Sequence, residues 1–156
     1  MDRAADNHYA TSVTEAIAAL EVASIAADDC VLLLWATVPM IEAALMVMRA
    51  WGFTYNSQAV WDKEVAGTGY WFRNQHEILL VGTRGKVPAP AMGKQWLSVI
   101  IERRRAHSVK PEQVYALIES YFPNLPKIEL FARTARAGWS RWGAEAPASE
   151  AAERKG

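Results

Sequence analysis

The segment "CVLLLWATVPMIEAALMVMRAWG", residues 30 to 52, constrains the fold more than any other part of the chain. "CVLLLWAT" is a continuous apolar run with β-branched and aromatic members, the pattern of a strand buried on both faces, and therefore of a parallel sheet. Past Thr37 the period changes. Pro39 falls near a first helical turn, apolar residues recur at spacings of three and four, and Gly52 occupies the position of a C′ residue. A strand followed by such a helix is half of a βαβ unit, so the expected class is α/β, a doubly wound sheet whose ligands sit beyond the carboxyl ends of its strands. Cys30, heading the apolar run, reads as a small buried hydrophobe. As the chain's single cysteine it cannot form an internal disulfide, which fits a reducing cytosol.

The rest of the chain extends this pattern. Thr14 to Leu20 has helical spacing with Ser12 as N-cap. Further strands are expected at "FTYNSQAVWDK" from Phe53, "HEILLVGT", "LSVIIER" and "KIELFAR" from Lys127, with an amphipathic helix from Pro111 to Tyr121 before the last. "EVAGTG" and "GKVPAPAMGKQW" are irregular loops, equally readable as plain connections or as the surroundings of a ligand. Residues 1–143 are expected to form one domain, followed by a disordered tail at 144–156 rich in Ala, Glu and Pro. Seventeen basic and seventeen acidic residues cancel, so no global field steers the chain to nucleic acid, though a local basic cluster still could. No leader pattern opens the chain and no apolar stretch approaches the roughly 20 residues of a membrane span, giving an expected cytoplasmic location with no membrane partner.

Three polar clusters fall at expected strand ends. In "YWFRNQHE", residues 70 to 77, Tyr70 or Trp71 could stack on a planar base while Asn74 and Glu77 read its edge; a wall of core aromatics with a capped loop fits equally well. In "RRRAHSVKPE", Arg103 to Arg105 could meet phosphates, although a solvated charge run is the commoner outcome, and Lys110 stands ahead of a helix where it could reach a ligand. His107 and Ser108 suggest general-base chemistry only superficially, since no residue is spaced to complete a triad; Ser108 reads first as a helix cap. In "KIELF", alternation puts Ile128 and Leu130 on one face and Glu129 with Phe131 on the other. A carboxylate there needs a partner, either a ligand's hydroxyl or cation, or Arg133 or Lys110 in a structural ion pair. No GxGxxG, P-loop, paired-cysteine or HExxH motif is present, so no metal site is expected.

In order along the chain, "LLLWAT", "AWGFTYNSQAVWDK", "GTGYWFRNQHEILLVGTRGK", "AHSVKPEQVYALIE" and "KIELFARTARAGWSRWG" resemble the MT-A70 family of S-adenosylmethionine-dependent adenine methyltransferases, from about Asp6 to Glu145. They look most like its bacterial and phage branch acting on DNA. The resemblance implies a Rossmann-like sheet with helices on both faces and transfer of a methyl group from S-adenosylmethionine to the exocyclic amine of adenine. It implies cofactor contacts at Ser108, Lys110, Glu129, Leu130, Phe131 and Arg133, and substrate contacts at Tyr9, Trp71, Asn74 and Glu77. This moves Glu129 and Arg133 from a structural pair toward the cofactor.

Two departures accompany the resemblance. The Asp-Pro-Pro-Trp motif, with which the family holds the amine and stacks on the base, does not occur in the chain, so no catalytic residue is assigned. Ala144 stands where the family carries an asparagine to the cofactor ribose. Both fit an N-terminally truncated or decaying member lacking its first strand, with low stability or self-association expected from exposed strand edges. The expected partner is DNA with RNA as the alternative, together with self-association or pairing with an active relative. The competing expectation is a noncatalytic module that pairs with an active relative or grips nucleic acid through Arg103 to Arg105 and the 67 to 77 loop.

Overall fold

The computed structural model describes residues 13–106 and 108–143. Tyr9, Ser12, His107, Ala144, Glu145 and the 144–156 tail lie outside the described residues. The chain divides into two compact units, Met1–Arg104 and Arg105–Gly156.

In the first unit, residues 13–18 are helical (α1). They are followed by β1 (Cys30–Ala36), a 3-10 turn at Val38–Met40, α2 (Ile41–Ala50), β2 (Thr54–Asp62), β3 (His76–Arg84) and β4 (Val99–Ile101). The start and stop signals around α2 act as the sequence suggests. Pro39 sits in the 3-10 turn that leads into the helix, and Gly52 adopts a left-handed φ of 88°. The Gly52 N–H donates to the Arg49 carbonyl and the Phe53 N–H to the Met48 carbonyl, a complete Schellman closure with Phe53 buried behind it.

The sheet order is β1-β3-β2-β4. β3 runs antiparallel to both β1 and β2, and only β2 and β4 pair in parallel. The parallel sheet expected from β1 is therefore corrected to a mixed one. β1 and β2 do run in the same direction, as the strand-helix-strand pattern requires, but β3 lies between them. An apolar run reports burial and carries no information on the direction of the neighbouring strand. Burial is also lower than the run suggests: β1 is half-buried from Cys30 to Trp35 and fully buried only at Ala36, and Cys30 is half-buried too.

The core of this unit gathers Met48, Trp51, Phe53, Trp61, Leu79, Leu80 and Ile100. Trp51 fixes α1 to α2 by donating its indole N–H to the Ile17 carbonyl at 3.0 Å. Gly82 on β3 is required by packing: a Cβ there would meet Sδ of the fully buried Met48 at 2.8 Å.

The second unit contains α3 (Glu112–Tyr121), β5 (Lys127–Leu130) and β6 (Trp139–Trp142). β5 and β6 pair in parallel as a separate two-stranded sheet, with Glu129 opposite Arg141 and Leu130 opposite Trp142. α3 buries Val114 and Leu117 on one stripe. Its N-cap is Pro111, with no side-chain cap, so the expected capping role of Ser108 is corrected. Ser108 instead takes a left-handed turn at φ 66°, three residues earlier. The alternation expected along "KIELF" also stops short. Phe131 leaves the strand with φ 59° and donates its N–H to the Trp142 carbonyl, so it does not share a face with Glu129 as a strand residue.

Candidate functional site

The segment 63–75 joins β2 to β3 as a long hairpin connection. Asp62 pairs with His76 at its base, the Lys63 N–H donates to the Gln75 carbonyl, and the Gly67 N–H donates to the Asn74 carbonyl at 2.8 Å. Asp62 organises the turn by accepting from the Glu64 N–H and the Gln75 side chain. These two hydrogen bonds, the backbone one foremost, hold its carboxyl below the ordinary aspartate range. Lys63 and Glu77 form a 3.3 Å ion pair, both half-buried. The Glu77 carboxylate, expected on the substrate side, is thus held by Lys63.

Tyr70, Trp71 and Phe72 are 77%, 85% and 78% exposed, which removes the reading of these rings as a core wall. The Tyr70 and Trp71 rings meet edge to face, 6.4 Å between centroids. Gly69 makes the tip tight: a Cβ at that position would lie 1.8 Å from the Phe72 carbonyl oxygen. Gly69→Ala is expected to open the tip while leaving the sheet in place. Amide exchange at Gly67 should accelerate by about tenfold or more, equivalent to about 1.4 kcal/mol of local opening, with the β3 amides unchanged. Exchange measured residue by residue checks this.

The residues expected to hold the cofactor all belong to the second unit. Ser108 and Lys110 precede α3, Glu129 and Leu130 lie on β5, and Phe131 and Arg133 follow it. The Lys110 carbonyl accepts from Arg105 at 2.8 Å, which shapes the approach to the helix. Arg133 is exposed, as are Arg103, Arg104 and Arg105. Glu129 receives the hydroxyl of Tyr115, from α3, at 2.7 Å. Burial first, then this hydrogen bond and the carboxylate's charge, push the Tyr115 phenol well above its ordinary value, so it stays a donor at any physiological pH.

Sequence reasoning missed the cluster on which Tyr115 rests. Glu112, Tyr115 and Glu119 share one face of α3 by their spacing of three and four. Arg136 forks onto both oxygens of Glu119 at 2.9 and 2.8 Å and also pairs with Glu112. Its guanidinium lies 4.8 Å from the centre of the Tyr115 ring. Trp139 donates its indole N–H to Glu119 at 2.9 Å and meets Tyr115 edge to face. The helix spacing was readable, but nothing in "RTARAGW" distinguished Arg136 from Arg133. A shallow cleft of about 420 Å3 opens beside this cluster between Asn124, Pro126, Gly138 and Trp139; it contains none of the residues expected to bind the cofactor.

The cluster sets a pH dependence. Arg136 hydrogen bonds first, then the Trp139 N–H, lower the Glu119 pKa from 4.5 to about 2. A folded-state pKa below the unfolded one means that the unfolded chain binds the proton more readily. The stabilisation is then full above about pH 4.5 and is lost as pH falls toward 2. Urea unfolding across that range should show wild type losing its advantage over Glu119→Gln as acid is added, the effect being modest because Glu119 is exposed to solvent screening.

A family model described as MT-A70 matches residues 1–145, and the chain belongs to the MT-A70 family. The Type II methyltransferase M.MunI of Mycoplasma sp is 40% identical over 140 residues, covering 89% of this chain and 60% of that protein. The N(6)-adenosine-methyltransferase MT-A70-like of Arabidopsis thaliana is 30% identical over 146 residues, covering 86% of this chain and 21% of its own length. The human N(6)-adenosine-methyltransferase catalytic subunit METTL3 is 32% identical over 114 residues, covering 68% and 20%. The mixed sheet with its helices is accordingly an α/β fold of the Rossmann-like methyltransferase type. No described helix is long and apolar enough to cross a membrane, and no metal-binding group of side chains occurs among the described residues.

Proposed function

We propose that this chain supplies the cofactor-binding and substrate-side elements of an adenine-N6 methyltransferase that uses S-adenosylmethionine and acts on DNA. The observation that carries the reading is Glu129, a carboxylate at the end of β5, held by the Tyr115 hydroxyl with a second oxygen left to accept. Such a pre-oriented carboxylate suits the two hydroxyls of a ribose. Lys110, just before α3, offers a cation to the cofactor's carboxylate, with Ser108 beside it; Leu130 and Phe131 give an apolar edge, and Arg133 a further cation. These donors and acceptors fit the group chemically. When bound, S-adenosylmethionine supplies an electrophilic methyl group on its sulfonium.

For the substrate, Tyr9, Trp71, Asn74 and Glu77 lie on segments that resemble the family's adenine side. The amine of adenine is a weak nucleophile, so catalysis depends on holding it in line with the methyl group. This chain carries no Asp-Pro-Pro-Trp sequence to do so, and its 60% span of M.MunI leaves the activity of a whole protein to be tested on longer chains. The test is calorimetry with S-adenosylmethionine, paired with a DNA methylation assay of this chain alone and of a chain extended upstream by a segment bearing Asp-Pro-Pro-Trp. Cofactor binding by both and methylation by the extended form are expected. Absence of cofactor binding in both overturns the proposal in favour of a noncatalytic nucleic-acid or partner-binding module.

A further inference from the structure

Arg136 turns its whole hydrogen-bonding fork onto one face of α3. Two of its nitrogens donate to the two oxygens of Glu119 at 2.9 and 2.8 Å, and the third pairs with Glu112. Glu112 and Glu119 flank Tyr115 at three and four residues, so a guanidinium held by both lies over the ring between them, 4.8 Å from its centre. Trp139 closes a second side. Its ring meets Tyr115 edge to face at 5.5 Å, and its indole N–H is tied to Glu119, the carboxylate that Arg136 already grips.

Stability is a poor account of this box. The Glu112 and Glu119 side chains are 60% and 37% exposed, and ion pairs so open to water contribute little to folding. A planar guanidinium forked onto two carboxylates contributes geometry instead. The ring that it fixes has one polar atom, and that atom is not used within the box. The Tyr115 hydroxyl donates to Glu129 on β5 at 2.7 Å, and no other hydrogen bond reaches the Glu129 carboxylate among the described residues. The orientation of Glu129 therefore depends on where the Tyr115 phenol is held.

We propose that Arg136 is a positioning residue for the cofactor site: clamped between Glu112 and Glu119, it holds the Tyr115 phenol aimed at Glu129 and so orients that carboxylate for the hydroxyls of the ligand. Arg136 acts through Tyr115 and not on the cofactor. Lysine cannot take its place, because an ammonium has no fork to span two carboxylates and no planar face to lay on a ring. The inference deepens the S-adenosylmethionine reading and rests on it for the identity of the ligand.

The test reads Tyr115 and the cofactor separately. In the protein alone, the Tyr115 hydroxyl proton is followed by NMR, and its exchange with water should be about tenfold or more faster in Arg136→Lys than in wild type. In calorimetry with S-adenosylmethionine, Arg136→Lys should weaken binding by about three- to fivefold, the loss expected of Tyr115→Phe. It should add nothing further in a Tyr115→Phe background, whereas a box that only stabilised the fold would give independent, additive losses. Glu112→Gln releases one arm of the guanidinium at an exposed side chain and should show both changes in smaller measure, which keeps the proposal testable if Arg136→Lys fails to fold. Wild-type affinity in Arg136→Lys, or the same loss persisting in the Tyr115→Phe background, overturns the proposal. Unchanged hydroxyl exchange does so too. Absence of S-adenosylmethionine binding by wild type removes the cofactor reading, and the exchange measurement still decides whether Arg136 aims Tyr115 at Glu129.

Discussion

Replacing Trp61 with alanine is expected to lower the unfolding free energy by about 3–5 kcal/mol, the range for deleting a large buried aromatic. The ring is only 2% exposed on β2, and it meets Trp35 of β1 edge to face at 5.7 Å across the intervening β3. Its indole N–H donates to the Glu102 carbonyl at 2.8 Å, tying the segment after β4 to the sheet. Deletion therefore removes packing on one side and a hydrogen bond on the other. Trp61→Phe separates these parts: most packing stays, the hydrogen bond goes, and a smaller loss of about 1–2 kcal/mol is expected. Urea denaturation of both variants, monitored by circular dichroism, gives the comparison. A Trp61→Ala loss under about 1 kcal/mol would mean that the site closes up around the cavity.

Glu129→Gln is expected to produce the largest functional change, weakening S-adenosylmethionine binding by about 10- to 100-fold. The size comes from replacing charged hydrogen bonds to ribose hydroxyls, each worth about 1.5–3 kcal/mol, with neutral ones. Tyr115→Phe keeps the carboxylate but releases its orientation, so a smaller loss of about three- to fivefold is expected. The order of the two effects matters as much as their size. Calorimetry on both variants, with melting curves to confirm folding, checks it; equal affinity in Glu129→Gln and wild type would remove Glu129 from the cofactor site.

Local signals in the chain were legible where one residue type does one physical task. Pro39 and Gly52 bracketed α2 because fixed φ suits a helix entrance and left-handed φ suits its exit. The apolar runs located β1 and β3. Strand direction was not legible: the connection between β2 and β3 spans residues 63–75 and has no short turn motif to announce a hairpin. Phe131 misled because alternation assumes that a strand continues, whereas its left-handed backbone ends it. Arg136 was overlooked for a different reason, since its significance depends on Glu112, Glu119 and Tyr115 arriving from α3. The family resemblance singled out Glu129 as a candidate, whereas the Tyr115 hydroxyl that donates to it emerged only from the structure.

The placement of β3 between β1 and β2 also governs the order in which this sheet can be completed. When residues 30–62 have left the ribosome, two strands and a helix exist without a shared ladder, because their common neighbour is still unmade. Residues 76–84 supply the neighbour of both, so neither antiparallel seam can form before they are made. Pairing of β1 and β2 into the sheet is thus deferred until β3 is available.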